Sequence, residues 1–153
     1  VYKRQEVGLD LEQRGIKLNY SNLVSPDTVV IADPEQMKKV INNIISNSVK
    51  YMDKPDGHID IRILDEVDSI QVEIEDNGKG IAQKDLQKIF ERFYRTDASR
   101  NSAQGGSGIG LSIVKKIVED HGGYVWATAK EGEGTCMHFV LRKYIELQPG
   151  GTK

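Results

Sequence analysis

The chain has a single cysteine, Cys136, among its 153 residues. A disulfide framework is excluded, and a reducing compartment fits. Positive charge is not in excess either: the formal net charge is −2 and the pI is near 6.0. Without a global basic field, neither nucleic acid nor an anionic membrane is indicated as a partner. No apolar run approaches the roughly 20 residues that span a bilayer, and no signal peptide is recognisable. There is no internal repeat and no sign of a second domain. The expected location is therefore cytoplasmic. What remains is an ordinary globular balance, 38% hydrophobic and 29% charged, long enough for one sizeable core.

Several chemistries are missing too. His58, His121 and His138 read as structural: two start or lie in strands. His121 sits at a helix end, where the dipole favours a cation. None is placed mid-helix beside an acid as a phosphoacceptor. No Cys/His cluster supports zinc, and no nucleophile–base pair stands out. No Gly-Lys-Ser/Thr follows a glycine run, so there is no Walker A loop.

The pattern that is present begins with helices. Residues 1–14 look helical, with Val7 and Leu11 on one face and Gly15 as the stop. Ile16 to Tyr20 alternates as a strand, and Val29 to Ile31 reads as a short strand or its remnant. A helix over Pro34–Tyr51 comes next, with Asp33 as N-cap, Pro34 at N1 and Gln36 closing a capping box. Met37, Val40, Ile41, Ile44, Ile45, Val49 and Met52 form its buried face. His58–Ile63 and Ile70–Glu75 alternate as two strands whose opposite faces carry charge, so one sheet face is expected to be wet. A short helix is expected over Lys84–Phe90. A polar stretch then runs to Gly106, long enough to suggest a functional lid or disorder. Another helix over Ile109–His121 stops at Gly122-Gly123, and strands at Tyr124–Thr128 and Thr135–Leu141 close the domain. This order implies a two-layer α/β sandwich of the α+β class. Its sheet is mixed and mostly antiparallel, with about three helices on one face. The domain is expected over 1–147, with 148–153 as a tail, and Val1 opens inside a helical pattern as if within a longer protein.

Four constellations carry chemistry. Asn43, Asn47, Lys50 and Tyr51 fall at i, i+4, i+7 and i+8 and share a helix face. Asparagine is a weak helix former, so Asn42, Asn43 and Asn47 in mid-helix need a reason. A plain polar face is one reading. The other makes the Asn47 amide oxygen a hard neutral ligand for Mg²⁺. Lys50 would then neutralise phosphate, and Tyr51 would pack near a base or ribose. Asp76-Asn-Gly-Lys-Gly80 is either a hairpin turn or a purine site. In the purine site Asp76 accepts an adenine N–H and Gly78 and Gly80 allow close approach, with Ile81 beside them. The residues after Gly80 do not return as a strand, which weakens the hairpin reading. Gly105-Gly106-Ser107-Gly108-Ile109-Gly110-Leu111 is a flexible linker or, because it runs into a helix, an anion site built from N-terminal amides. Among Arg92, Arg95 and Arg100, Arg95 beside Tyr94 is the candidate for reaching phosphates, with Phe90 and Phe93 docking the lid when nucleotide is present. A solvated basic loop is the plainer alternative. Thr135 either holds a water beside Asp76 or is simply a strand residue.

These residues resemble a known set. Asn43-Ile-Ile-Ser-Asn47-Ser-Val-Lys50-Tyr51 resembles the N box of bacterial sensor histidine kinases. Asp76–Gly80 resembles their first glycine box, Phe90-Glu-Arg-Phe93-Tyr-Arg their F box, and Gly106–Leu111 their second glycine box. Glu119–Gly123 and Gly132–Thr135 resemble the family's closing segments. The match runs from about Asp33 to Leu141, in order and in spacing. Ser48 stands where Ala is usual, and Ser107 where Thr is usual. The resemblance implies the Bergerat ATP-binding fold, shared with gyrase, mismatch-repair and heat-shock chaperone ATPases. It implies ATP and Mg²⁺ as cofactors, Asn47 on the metal, Asp76 on adenine, and residues 81–108 as an ATP lid. Lys50 and Arg95 become the catalytic cations. Hydrolytic members of the superfamily carry a Glu one turn before the Mg²⁺ Asn, where this chain has Asn43. An amide cannot take a proton from water, so the γ-phosphoryl is kept for another nucleophile. The expected partners are a dimerisation/phosphoacceptor domain of the same kinase and a response regulator receiver domain. The isolated domain is expected to be monomeric, its parent a homodimer, and the inner membrane is a natural anchor for that parent. Two other readings stand beside this one: a Bergerat-fold hydrolase and a non-enzymatic nucleotide-sensing module.

Overall fold

Alternating isoleucines become adjacent strands in a computed structural model, which describes residues 15–94 and 110–144. Among the described residues seven elements occur in order: β1 (Lys17–Asn22), α1 (Pro34–Lys50), β2 (His58–Asp65), β3 (Ser69–Asp76), α2 (Gly110–Asp120), β4 (Val125–Lys130) and β5 (Gly134–Arg142). The sheet order is β1-β2-β3-β5-β4. β1 lies parallel to β2, with α1 as the crossover that parallel pairing requires, and the other pairs are antiparallel. The expected mixed sheet is confirmed. The helix expected over 1–14 falls outside the described residues. The short strand expected at Val29–Ile31 is reduced to a bridge between Val30 and Lys143.

Strand register lines up the core. Ile61, Ile74, Met137 and Ala127 form one row across the sheet, and Ile63, Val72, Phe139 and Val125 the next. Both helices cover this face. Val40, Ile44 and Ile45 from α1 and Val114, Ile117 and Val118 from α2 pack into the same cluster. Burying each such side chain contributes about 1.5–3 kcal/mol.

Asp33 caps α1 as expected, its carboxylate accepting from the Glu35 and Gln36 amides at 2.9 and 3.3 Å. The reciprocal half of the capping box is different. The Asp33 backbone N–H goes not to Gln36 but to His121 Nε2, at 3.1 Å. His121 Nδ1 lies 2.8 Å from the Ile117 carbonyl. His121 thus latches the start of α1 to the end of α2.

Two further expectations fail. Lys84–Phe90 is a succession of turns rather than a helix, with Asp85, Lys88 and Glu91 donating to the carbonyls of Ala82, Asp85 and Lys88. One i→i+4 bond, from the Ile89 N–H to the Asp85 carbonyl at 3.0 Å, sits among these turns, and Ile81, Asp85, Ile89 and Phe90 are all buried. The outer sheet face is also not uniformly wet. Cys136, His138 and Val140 on β5 are only 6%, 9% and 8% exposed. Trp126 stacks on His138 at 4.8 Å and Tyr124 on Trp126 at 5.3 Å, so aromatic rings shield the middle of that face.

Gly134 opens β5 with φ of +132°, and a Cβ there would overlap the Asp76 carbonyl oxygen. Gly134→Ala is expected to cost about 3 kcal/mol of stability. The check is a lowered denaturant midpoint at unchanged m-value.

Candidate nucleotide-binding site

The site is built where α1, the end of β3 and the start of β5 meet. Asp76 is the last residue of β3 and pairs across to Thr135. It is a carboxylate only 7% exposed, on the core face beside Ile59. Burial pushes its pKa above the ordinary 3.8. Three donors hold the rise back: the Gly78 N–H, the Ser48 hydroxyl and the Thr135 N–H. Gly78 N–H reaches Asp76 Oδ1 at 2.9 Å and closes the turn. A Cβ on Gly78 would lie 2.6 Å from the Tyr51 carbonyl oxygen, so only glycine lets the turn sit this close to the end of α1. Ile81 is buried just beyond.

On α1, Asn43 and Asn47 are half-buried on the face that Lys50 and Tyr51 continue. Gly110 begins α2 directly beside Asn43, where a Cβ would stand 3.9 Å from its amide oxygen. Leu111 packs against the core from the same turn. The structure thus places Gly110 against Asn43, and Gly78 and Thr135 against Asp76, where Ser48 and Tyr51 of α1 also meet that turn. The Lys50 ammonium lies 5.1 Å from the Tyr51 ring centroid, and Lys79 lies 5.5 Å from the same ring. Two cations therefore share one aromatic at the mouth of the turn.

The lid candidates divide. Tyr94 gives its hydroxyl to buried Asp85. Phe90 is buried, as an anchor should be, but Phe93 is 61% exposed, with φ of 66° and Arg92 over its ring. Arg95, Arg100, Gly106, Ser107, Gly108 and Ile109 lie outside the described residues.

Two features escaped the sequence reading. Ser48 donates to Asp76 and is 2% exposed. Its signal was available: it continues the apolar stripe Ile41, Ile44, Ile45 at helical spacing, where a hydroxyl needs a partner. The other is a cluster on the outer sheet face, where register places donor atoms of Glu73, Cys136 and His138 within 4.8 Å of one another. These donors are already engaged. Arg62 binds Glu73 at 3.0 Å and Glu75 at 3.2 Å, and comes within 3.9 Å of Cys136 Sγ. His138 holds Glu73 at 3.0 Å through Nδ1 and Thr128 at 2.9 Å through Nε2. Burial and the nearby Glu73 and Glu75 push the Cys136 thiol up to about 12. The metal-binding form is the thiolate, so the cluster reads as a polar network clamping β2, β3 and β5.

Sheet, helix layer and glycine turn together define the class: a two-layer α/β domain of the ATPase type. The chain belongs to the histidine kinase-, DNA gyrase B- and HSP90-like ATPase family, whose model matches residues 32–145. Sensor histidine kinase WalK of Bacillus subtilis (strain 168) is 41% identical over 122 residues, covering 78% of this chain and 20% of WalK. This chain thus spans about a fifth of that relative. Among solved structures, the mycobacterial sensor histidine kinase MprB superposes with a TM-score of 0.77 at 28% identity, covering 93% of this chain and 94% of that one. Histidine kinase ThkA in complex with the response regulator protein TrrA gives a TM-score of 0.71 at 26% identity, covering 94% of this chain and 40% of that one. The fold expected from the sequence is the fold of these neighbours. Among the described residues, no helix is long and apolar enough to cross a membrane.

Proposed function

We propose that this chain is the catalytic ATP-binding domain of a sensor histidine kinase. It delivers the γ-phosphoryl of Mg-ATP to a histidine on a separate dimerisation domain, which passes it to a response regulator receiver domain. The observation that carries this reading is the convergence of Asp76, Gly78 and Thr135 with the Asn43–Tyr51 face and the first turn of α2. Asp76 accepts the adenine exocyclic N–H₂ from a dry, fixed position. Lys50 leaves the Tyr51 ring for the phosphates, with Arg95 and the amides of Gly106, Ser107, Gly108, Ile109 and Gly110 completing their cradle. Asn47, half-buried on the same face as Asn43, offers the hard neutral oxygen that suits Mg²⁺, and bound Mg²⁺ neutralises charge on the transferring phosphoryl group. The acceptor imidazole forms the new N–P bond as the bond from γ-phosphorus to the bridging oxygen breaks and ADP leaves. The protein's contribution is positioning and charge neutralisation. Asn43 replaces the general base of the hydrolytic relatives, so water is left unactivated. The domain is read as a cytoplasmic monomer whose parent dimerises.

The test supplies a separate phosphoacceptor domain, labelled ATP and Mg²⁺. Label is expected on the acceptor histidine, with little phosphate release from the domain alone. Steady phosphate release without transfer, lost on Asn43→Ala, would instead make it a hydrolase.

A further inference from the structure

We propose that Lys54 is a positioning residue of the adenine pocket, the cation that holds the Asp76–Gly80 turn in its binding shape. The proposal rests on reading Asp76 as the adenine acceptor. Lys54 lies in Asp53-Lys54-Pro55-Asp56-Gly57, which reads as an ordinary polar loop. Its ammonium is anything but a loose surface charge. The three donors of Nζ go to Asp53 Oδ1 at 3.0 Å, the Gly78 carbonyl at 3.2 Å and the Gly132 carbonyl at 2.9 Å. The carboxylate contact is a half-exposed pair and worth little. The two carbonyl contacts join the glycine turn to the β4–β5 hairpin.

Those contacts close a ring. The Lys79 N–H donates to the Tyr51 carbonyl at 3.1 Å, and the Gly132 N–H donates to the Lys79 carbonyl at 2.7 Å. The peptide between Gly78 and Lys79 is therefore pinned at both ends, its N–H by the end of α1 and its oxygen by Lys54. The next peptide is pinned by the hairpin residue that Lys54 also grips. Gly78 in turn donates to Asp76 Oδ1 at 2.9 Å. Lys54 thus reaches the carboxylate through one intervening residue. Without the ammonium, two carbonyls lose a charge-assisted bond, and the Gly78 carbonyl loses its tie to the hairpin. The carboxylate can then rotate, and adenine selection depends on its orientation.

The experiment compares the wild type with Lys54→Met, Lys54→Gln and Lys54→Arg, by calorimetric titration with Mg-ATP and with Mg-GTP and by thermal melting. Lys54→Met and Lys54→Gln are expected to weaken ATP about fivefold to tenfold, the scale of one lost charged hydrogen bond. GTP carries a carbonyl where ATP carries the exocyclic amine, so its weak binding is expected to stay put and the ATP-to-GTP preference to fall by the same factor. Lys54→Arg, whose guanidinium can bridge two carbonyls, is expected to restore the preference. Unchanged ATP affinity in Lys54→Met and Lys54→Gln overturns the proposal. So does an equal loss for both nucleotides, or a drop in the number of sites at unchanged Kd, which marks partial unfolding. A wild type that binds no ATP removes the functional reading itself, and this proposal with it.

Discussion

Asparagine in place of Asp76 is expected to abolish measurable ATP binding while leaving the fold intact. The carboxylate ends β3 on its inward face, and its environment is already set around a negative charge: Gly78, Ser48 and Thr135 all donate to it. Asparagine keeps one oxygen, which the turn claims through Gly78 at 2.9 Å. Its other atom is an N–H₂, which meets the adenine amine donor to donor. The lost charge-assisted bond and the new conflict together amount to at least about 3 kcal/mol, or roughly a hundredfold in Kd. Titration calorimetry measures this, with circular dichroism to show the sheet retained. The pH dependence has a definite sign. Burial holds the pKa of Asp76 above 3.8, so ATP affinity falls on acidification earlier than an ordinary Asp would allow. The stability contribution of this group runs the other way. A carboxyl whose folded pKa is raised adds stability below its unfolded value and loses it as pH rises through the folded value. At neutral pH the ionised Asp76 is thus a cost that the fold carries for binding. Wild-type affinity for the Asn variant, at any pH, would end the adenine assignment.

Much of this architecture is legible in the chain itself. Period-two isoleucines locate β2 and β3 to within two residues, because one covered face imposes strict alternation. Asp33 and Pro34 locate the start of α1 because a helix must satisfy its first amides locally. The features that stay hidden depend on register or on contacts between distant segments. His121 capping Asp33 spans the whole helix layer. The Glu73–His138–Arg62 network exists only because β3 and β5 pair Glu73 with His138. The buried outer face of β5 comes from Trp126 stacking on the neighbouring strand. Lys84–Phe90 has helical composition, yet it is bonded mostly as i→i+3 turns, with Asp85, Ile89 and Phe90 buried. The candidate site is legible in its residue types, since glycine turns and mid-helix asparagines are locally costly. It is not legible in its supports, Ser48 and Lys54, whose roles depend on what lies opposite them.

Alanine in place of Asn47 is expected to separate nucleotide binding from phosphoryl transfer. In the proposed reading Asp76 and the turn take the base, whereas Asn47, one turn along α1 from Asn43, holds the metal on the phosphates. Removing its amide should therefore leave metal-free ATP binding within about twofold, since no base contact changes. Mg²⁺ should then no longer strengthen that binding, a readout independent of turnover. Transfer to a supplied phosphoacceptor domain should fall by about a thousandfold, or about 4 kcal/mol, the scale of losing metal charge stabilisation at the transferring group. Asn47→Asp restores a hard oxygen ligand and should recover part of the Mg²⁺ effect. Asn43→Ala makes the sharper contrast. It lies against Gly110, where α2 begins, and its loss should loosen nucleotide binding with or without the metal. If Asn47→Ala kept the full Mg²⁺ enhancement, the metal would have to be held elsewhere, and the shared helix face would be an ordinary polar surface.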